Sequence, residues 1–220
     1  MKYMLSSIAL ITAVCLSIAF TKRTVTEKYF EGKISYALTI TAAADGIDTS
    51  ELRRILGTGS DFYFKEGNYH QYAYYAKGKP SREETYLAIA SKVYTKKNST
   101  DTIYVGDVSA AQEPLLHSEM APGTEKVGGI DCKKFTLYYK SINVTYYYNP
   151  DSLRVDPEWF RNYHFFDKNL SMKEMGSLYY RCDLNLPKFT ITLTAAAVAH
   201  QKVDDNMFVL PKNAIYKDEE

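Results

Sequence analysis

The run Phe30-Glu31-Gly32-Lys33-Ile34-Ser35-Tyr36-Ala37-Leu38-Thr39-Ile40-Thr41 decides the fold class. Its even positions are apolar apart from Gly32, and its odd positions are charged, hydroxylated or small. Successive side chains of a strand point to opposite faces, so period two held over this length predicts one long strand with one wet face. The same signature recurs outward from it. Phe62 and Phe64 lead into Glu66-Gly67-Asn68, a turn signal, and 69–76 follows as the second arm of a hairpin. Lys77-Gly78-Lys79-Pro80 marks the next turn, ahead of short strands around 86–89 and 93–96. Asn98-Ser99-Thr100-Asp101 then precedes another strand at 103–105.

The second half repeats the plan. Phe135, Leu137 and Tyr139 alternate with Lys134, Thr136 and Lys140, and Ile142, Val144, Tyr146 and Tyr148 with Asn143, Thr145 and Tyr147. Gly128-Gly129, just before the first of these runs, reads as a turn. Near the end Phe189, Ile191, Leu193, Ala195 and Ala197 oppose Lys188, Thr190, Thr192 and Thr194. Twenty tyrosines and ten phenylalanines suit pleated, half-buried surfaces. Helices are few and short. Residues 48–56 carry Asp48 or Thr49 as cap, Leu52 and Ile55 as an apolar pair, and a closing Gly57. Asp156-Pro157-Glu158 is a favoured helix start, and 170–175 reads as a third turn or helix ended by Gly176. The expected fold is mainly β (α+β), a single curved antiparallel sheet with a few short helices packed on its concave face.

Residues 1–19 read as a secretory signal peptide. Lys2 supplies the positive start, 4–20 an uncharged and mostly apolar run, and Ser17-Ile18-Ala19 the small residues of a cleavage site. An uncleaved anchor is the alternative, and the run is at the short edge of what spans a bilayer. Cleavage leaves residues 20–220 as one domain, exported to the periplasm or cell surface and not integral to the membrane. Lys and Arg together number 27 and Asp and Glu 26. Removing Lys2 balances the mature chain, which argues against nucleic acid as a partner. Cys132 and Cys182 then remain as a pair in an oxidising compartment. They are either a disulfide, worth roughly 4 kcal/mol for so long a loop, or two buried thiols.

No catalytic pattern emerges. His70, His117, His164 and His200 have no metal-ligand spacing among themselves or with the cysteines, and no GxSxG elbow or phosphate-cradling loop is present. Glu83 and Glu84 are neighbours and face opposite sides of a strand. The expectation is a protein that is not an enzyme and uses no cofactor. The aromatic residues have two readings: core and exposed sheet face, or a concave wall that holds an apolar ligand.

The segment 127–211 carries a resemblance. Gly128-Gly129-Ile130-Asp131-Cys132-Lys133-Lys134-Phe135 is similar to the Gly-x-x-Cys-Lys-Lys-Tyr strand entry of a family of exported Bacteroidetes proteins. Tyr148-Asn149-Pro150, Val155-Asp156-Pro157, Thr194-Ala195, Lys202-Val203-Asp204-Asp205 and Phe208-Val209-Leu210-Pro211 resemble their further landmarks in order. That family is similar to the LolA-like, lipoprotein-carrier-like group. The resemblance implies an antiparallel half-barrel around a helical lid and a lipid or other apolar small molecule as ligand, with no enzyme activity and no cofactor. On that reading Tyr36, Leu38, Phe189, Ile191 and Leu193 line the cavity. The competing expectation is an envelope protein–protein interaction module that uses the same sheet with no cavity.

Overall fold

The computed structural model describes residues 28–43, 45–74, 80–97 and 100–219; the segment read as a signal peptide lies outside the described residues. Among them, twelve strands form one sheet. Strands β1 (Gly32–Ala42), β2 (Gly59–Lys65), β3 (Asn68–Tyr74), β4 (Pro80–Leu87), β5 (Lys92–Lys97) and β6 (Thr102–Asp107) make one meander. Strands β7 (His117–Val127), β8 (Ile130–Tyr138), β9 (Asn143–Tyr148), β10 (Tyr179–Asn185) and β11 (Phe189–His200) make a second. The long strand read first in the sequence joins them. β1 pairs with β11 from Gly32 opposite His200 to Ala42 opposite Phe189, with Ala196 bulged out between Tyr36–Ala195 and Ser35–Ala197.

The antiparallel expectation holds for every neighbouring pair but one. β12 (Ile215–Asp218) runs parallel to β6 at the edge of the sheet. A parallel partner cannot be reached by a tight turn. The chain therefore crosses from β11 through residues 201–214, which hold a 3₁₀ turn (Asp205–Phe208) packed on β3 and β4. The Lys65 ammonium, 2.5 Å from the Asp205 carboxylate, and the buried Val203 fasten that crossing.

Turn chemistry sets the hairpins. Glu66 and Gly67 have φ of 48° and 82°, the pair of left-handed residues of a type I′ turn, and Lys65 pairs with Asn68 across it. Gly128-Gly129 makes the corresponding turn between Val127 and Ile130. The strand expected around 86–89 begins earlier, at Pro80, and Ile89 lies fully exposed in the turn beyond Leu87.

Connectivity requires the sheet to curl. β6 and β7 are ten inter-strand steps apart, about 48 Å in a flat sheet. Residues 108–116 must bridge that gap, and the ten steps from Asp107 to His117 reach at most about 35 Å. The two ends of the sheet therefore approach one another. Val108, on this bridge, is buried in the core, and its carbonyl accepts from the amides of His164 at 2.7 Å and Phe165 at 3.2 Å.

The hollow is covered by residues 156–178. They form a 3₁₀ turn (Pro157–Phe160) capped by the Asp156 carboxylate, a second short turn (Phe165–Asp167) and a helix, Lys168–Met175, that ends at Gly176. Phe160, Tyr163, Met172, Met175 and Leu178 of this cover pack against Ile34, Phe64, Tyr86, Leu137 and Tyr146 of the sheet. The earlier helix, α1 (Thr49–Leu56), is capped by Asp48 as expected, yet buries none of its residues. The Lys168–Met175 helix is α2.

Candidate functional site

A cavity of about 180 Å³ lies between the sheet and the cover. Each of five strands contributes one ring: Tyr36 from β1, Phe62 from β2, Tyr69 from β3, Tyr146 from β9 and Tyr179 from β10. The cover adds Phe160, Tyr163, Phe165 and Phe166, together with Leu178. Strand parity explains why these side chains converge. Phe62 stands opposite Gln71 and Phe64 opposite Tyr69, so all four share one face, while Tyr147 turns away between Tyr146 and Tyr148.

The rings contact one another directly. Tyr36 and Tyr179 have centroids 5.1 Å apart, Tyr146 and Tyr179 5.6 Å, and Phe62 and Tyr69 5.1 Å. Two of the hydroxyls are held: Tyr36 donates to the Tyr179 carbonyl at 2.9 Å, and Tyr69 donates to Glu84 at 2.8 Å and lies 3.2 Å from the Tyr163 hydroxyl. Burial pushes the phenols of Tyr36, Tyr69, Tyr146 and Tyr179 well above their usual range, so they stay neutral.

Two polar side chains interrupt this lining, Gln71 and Lys168. The Lys168 ammonium sits over the Tyr179 ring at 5.4 Å and the Tyr146 ring at 5.6 Å. Burial lowers it to about 8, with the neighbouring Cys182 acting in the other direction. The backbone that delivers it is unusual. Phe166 and Asp167 both adopt left-handed conformations, at φ of 47° and 44°, immediately before Lys168. Non-glycine residues there cost about 1–2 kcal/mol each. The Asp167 carboxylate, which accepts from the Tyr139 hydroxyl at 2.9 Å, and the Asn169 amide, which donates to the Tyr163 carbonyl at 2.8 Å, fix that kink.

Of the five residues expected to line a cavity, Tyr36 does so. Leu193 packs half-buried against the core. Leu38, Ile191 and Phe189 share its face, with Leu38 opposite Leu193, Ile40 opposite Ile191 and Ala42 opposite Phe189. They lie along the strands beyond the cavity, because the cover spans only one end of the β1–β11 ribbon. The sequence reading missed Lys168 and the cover rings. Their only readable signal was a cation next to Tyr163, Phe165 and Phe166 in a stretch without period.

The disulfide expectation is corrected. Cys132 and Cys182 are free and buried. β9 lies between their strands, and register places Cys182 opposite Tyr146 and Tyr146 opposite Phe135. Cys132 is an odd number of residues from Phe135 and faces the other side, packed with Val127 and Tyr147. Burial pushes the thiols up, Cys132 to about 11 and Cys182 to about 12, so neither is an activated nucleophile.

Among the described residues no group of three His, Cys, Asp or Glu side chains is placed to hold a metal ion, and no helix is long and apolar enough to cross a membrane.

No protein-family model and no curated protein matches the chain. Among solved structures it is similar to PNGF-II in a C2 space group, at 12% identity and a TM-score of 0.48 over 87% of this chain, which spans only 31% of that one. It is also similar to a conserved protein from Thermus thermophilus, at 8% identity and a TM-score of 0.47, covering 84% of this chain and 91% of that one. A third is the Mycobacterium tuberculosis lipoprotein LppX, at 13% identity and a TM-score of 0.38, covering 79% and 89%. At these identities and scores none of them bears on function.

Proposed function

We propose that this protein is a non-catalytic binding protein whose residues 20–220 act as one domain in the cell envelope after export, holding a small apolar molecule or the end of a larger one. The observation that carries this reading is the aromatic cavity of about 180 Å³ under the cover. Binding sites for small molecules are concave and mostly apolar, with a few polar groups that orient the ligand, and Gln71 and Lys168 fit that description here. Its size decides what fits. An apolar cavity of about 150 Å³ takes up benzene. This one therefore accommodates one ring or a short run of carbons, and a long acyl chain would place only its end inside.

The test is native mass spectrometry with organic extraction of the mature protein from its own host, paired with toluene binding to the purified protein followed by ligand-observed NMR. Binding by the wild type and its loss in Gln71→Trp, which fills the cavity from a half-buried strand position, is the expected result; Phe62→Trp serves the same purpose. Failure of the wild type to bind, or unchanged binding in both filled variants, would overturn the reading and leave the interaction module.

A further inference from the structure

We propose that the cavity takes apolar acids: a single-ring or short-chain monocarboxylate whose carboxylate pairs with the Lys168 ammonium while its apolar part fills the space among the rings. The inference rests on the reading of the cavity as a binding site and names the class of its ligand.

Among the described residues the Lys168 ammonium has no carboxylate and no hydrogen-bonding partner, and its contacts are the faces of Tyr146 and Tyr179. The neighbouring carboxylates are engaged elsewhere. Asp167 accepts from Tyr139, and Glu84 accepts from Tyr69 and lies 3.8 Å from the Arg82 guanidinium. Lys168 is also the first residue of α2, and the positive end of a helix disfavours a cation. Burial disfavours it again. A lysine free of these costs would extend into water. This one is carried over the rings by two consecutive left-handed residues. A negative charge from outside the chain completes the arrangement, and the mostly aromatic lining selects an apolar body to accompany it.

The remaining groups at the site do not supply that charge. Tyr36, Tyr69, Tyr146, Tyr163 and Tyr179 and the thiol of Cys182 are all held neutral by burial. A bound carboxylate thus meets one cation and no competing anion inside the cavity. Affinity falls as Lys168 loses its proton.

Phenylacetate and its uncharged isostere phenylacetamide distinguish the outcomes, titrated by NMR into the mature protein and its variants. At pH 7 the wild type is expected to bind phenylacetate at least tenfold more tightly than the amide, a preference that fades between pH 7 and 10. Lys168→Met is expected to fold and to lose the preference for the carboxylate over the amide. Equal binding of the two by the wild type, or a preference that survives in Lys168→Met, would overturn the inference while leaving the cavity reading intact. If neither probe binds the wild type, the cavity reading fails and this inference with it.

Discussion

Replacing Lys168 by Met should stabilise the protein at neutral pH. Burial lowers the lysine from 10.5 to about 8, and at 1.36 kcal/mol per pH unit the charged form costs about 3 kcal/mol in the folded state. The two ring contacts return part of this. At 5.4 and 5.6 Å they are close to the outer limit of the effect, so together they supply about 1 kcal/mol. Methionine has a similar length and no charge to desolvate, which leaves a net gain of about 2 kcal/mol. The sign with pH follows from proton counting. Between about 8 and 10.5 the unfolded chain holds a proton on this lysine that the folded chain has released, so wild-type stability rises with pH through that window. Lys168→Met lacks this rise. Urea melts at pH 7, 8, 9 and 10, followed by the emission of Trp159, the sole tryptophan, should show the variant ahead at pH 7 and the gap closing by pH 10. Tyrosine ionisation is common to both proteins and cancels. A variant less stable than wild type at pH 7, or a gap constant from pH 7 to 10, would refute the account of a desolvated ammonium.

Gly67→Ala should cost about 3 kcal/mol in the same melts, since φ is 82° there and an added Cβ would stand 2.5 Å from the Trp159 Cβ. A loss under 1 kcal/mol would contradict the turn geometry. Burial works against ionisation of Glu31, but the Val203 amide at 2.8 Å and the Lys202 ammonium at 3.0 Å hold its carboxyl below the usual range. That contribution is full above the unfolded value of 4.5 and is lost as pH falls through the folded one. Glu31→Gln should thus cost about 1 kcal/mol at pH 7 and nothing once the folded carboxyl is protonated; a pH-independent difference would argue against it. Alkylation in denaturant without reductant should label both Cys132 and Cys182, whereas a mass two hydrogens short with neither labelled would restore the bridge.

The strands whose residues alternate apolar with polar were legible in the sequence, even β9, which is buried on both faces. β1, β8, β9 and β11 each alternate, and the turns at Glu66-Gly67 and Gly128-Gly129 and the caps at Asp48 and Asp156 were readable because each rests on a local backbone requirement. β7 and β12 were not. β7 leaves every residue but Ala121 and Val127 exposed, and β12 exposes all four. An edge strand that buries neither face has no alternation to display and exists through its ladder alone. The cysteine pairing failed for another reason. Even number and compartment favour a bridge, but the face of each thiol depends on register across β9, which no local signal encodes. The site was legible only at Tyr36. Its other walls come one ring at a time from separate strands and from an aperiodic cover, and Lys168 acquires its character from neighbours distant in sequence.

The bridge at 108–116 acts as a chord across the arc of the sheet. A chord of fixed length sets the radius of the arc, and the radius sets how far apart Tyr36, Tyr69 and Tyr146 stand. The width available to an occupant is therefore encoded in nine residues, of which Val108 is anchored in the core and Ser109 to Gln112 are exposed. Lengthening the chord would let the arc open without altering any wall of the chamber, and shortening it would draw the rings together. Insertions and deletions at this one surface loop would thus tune the calibre of the interior, independently of the side chains that line it.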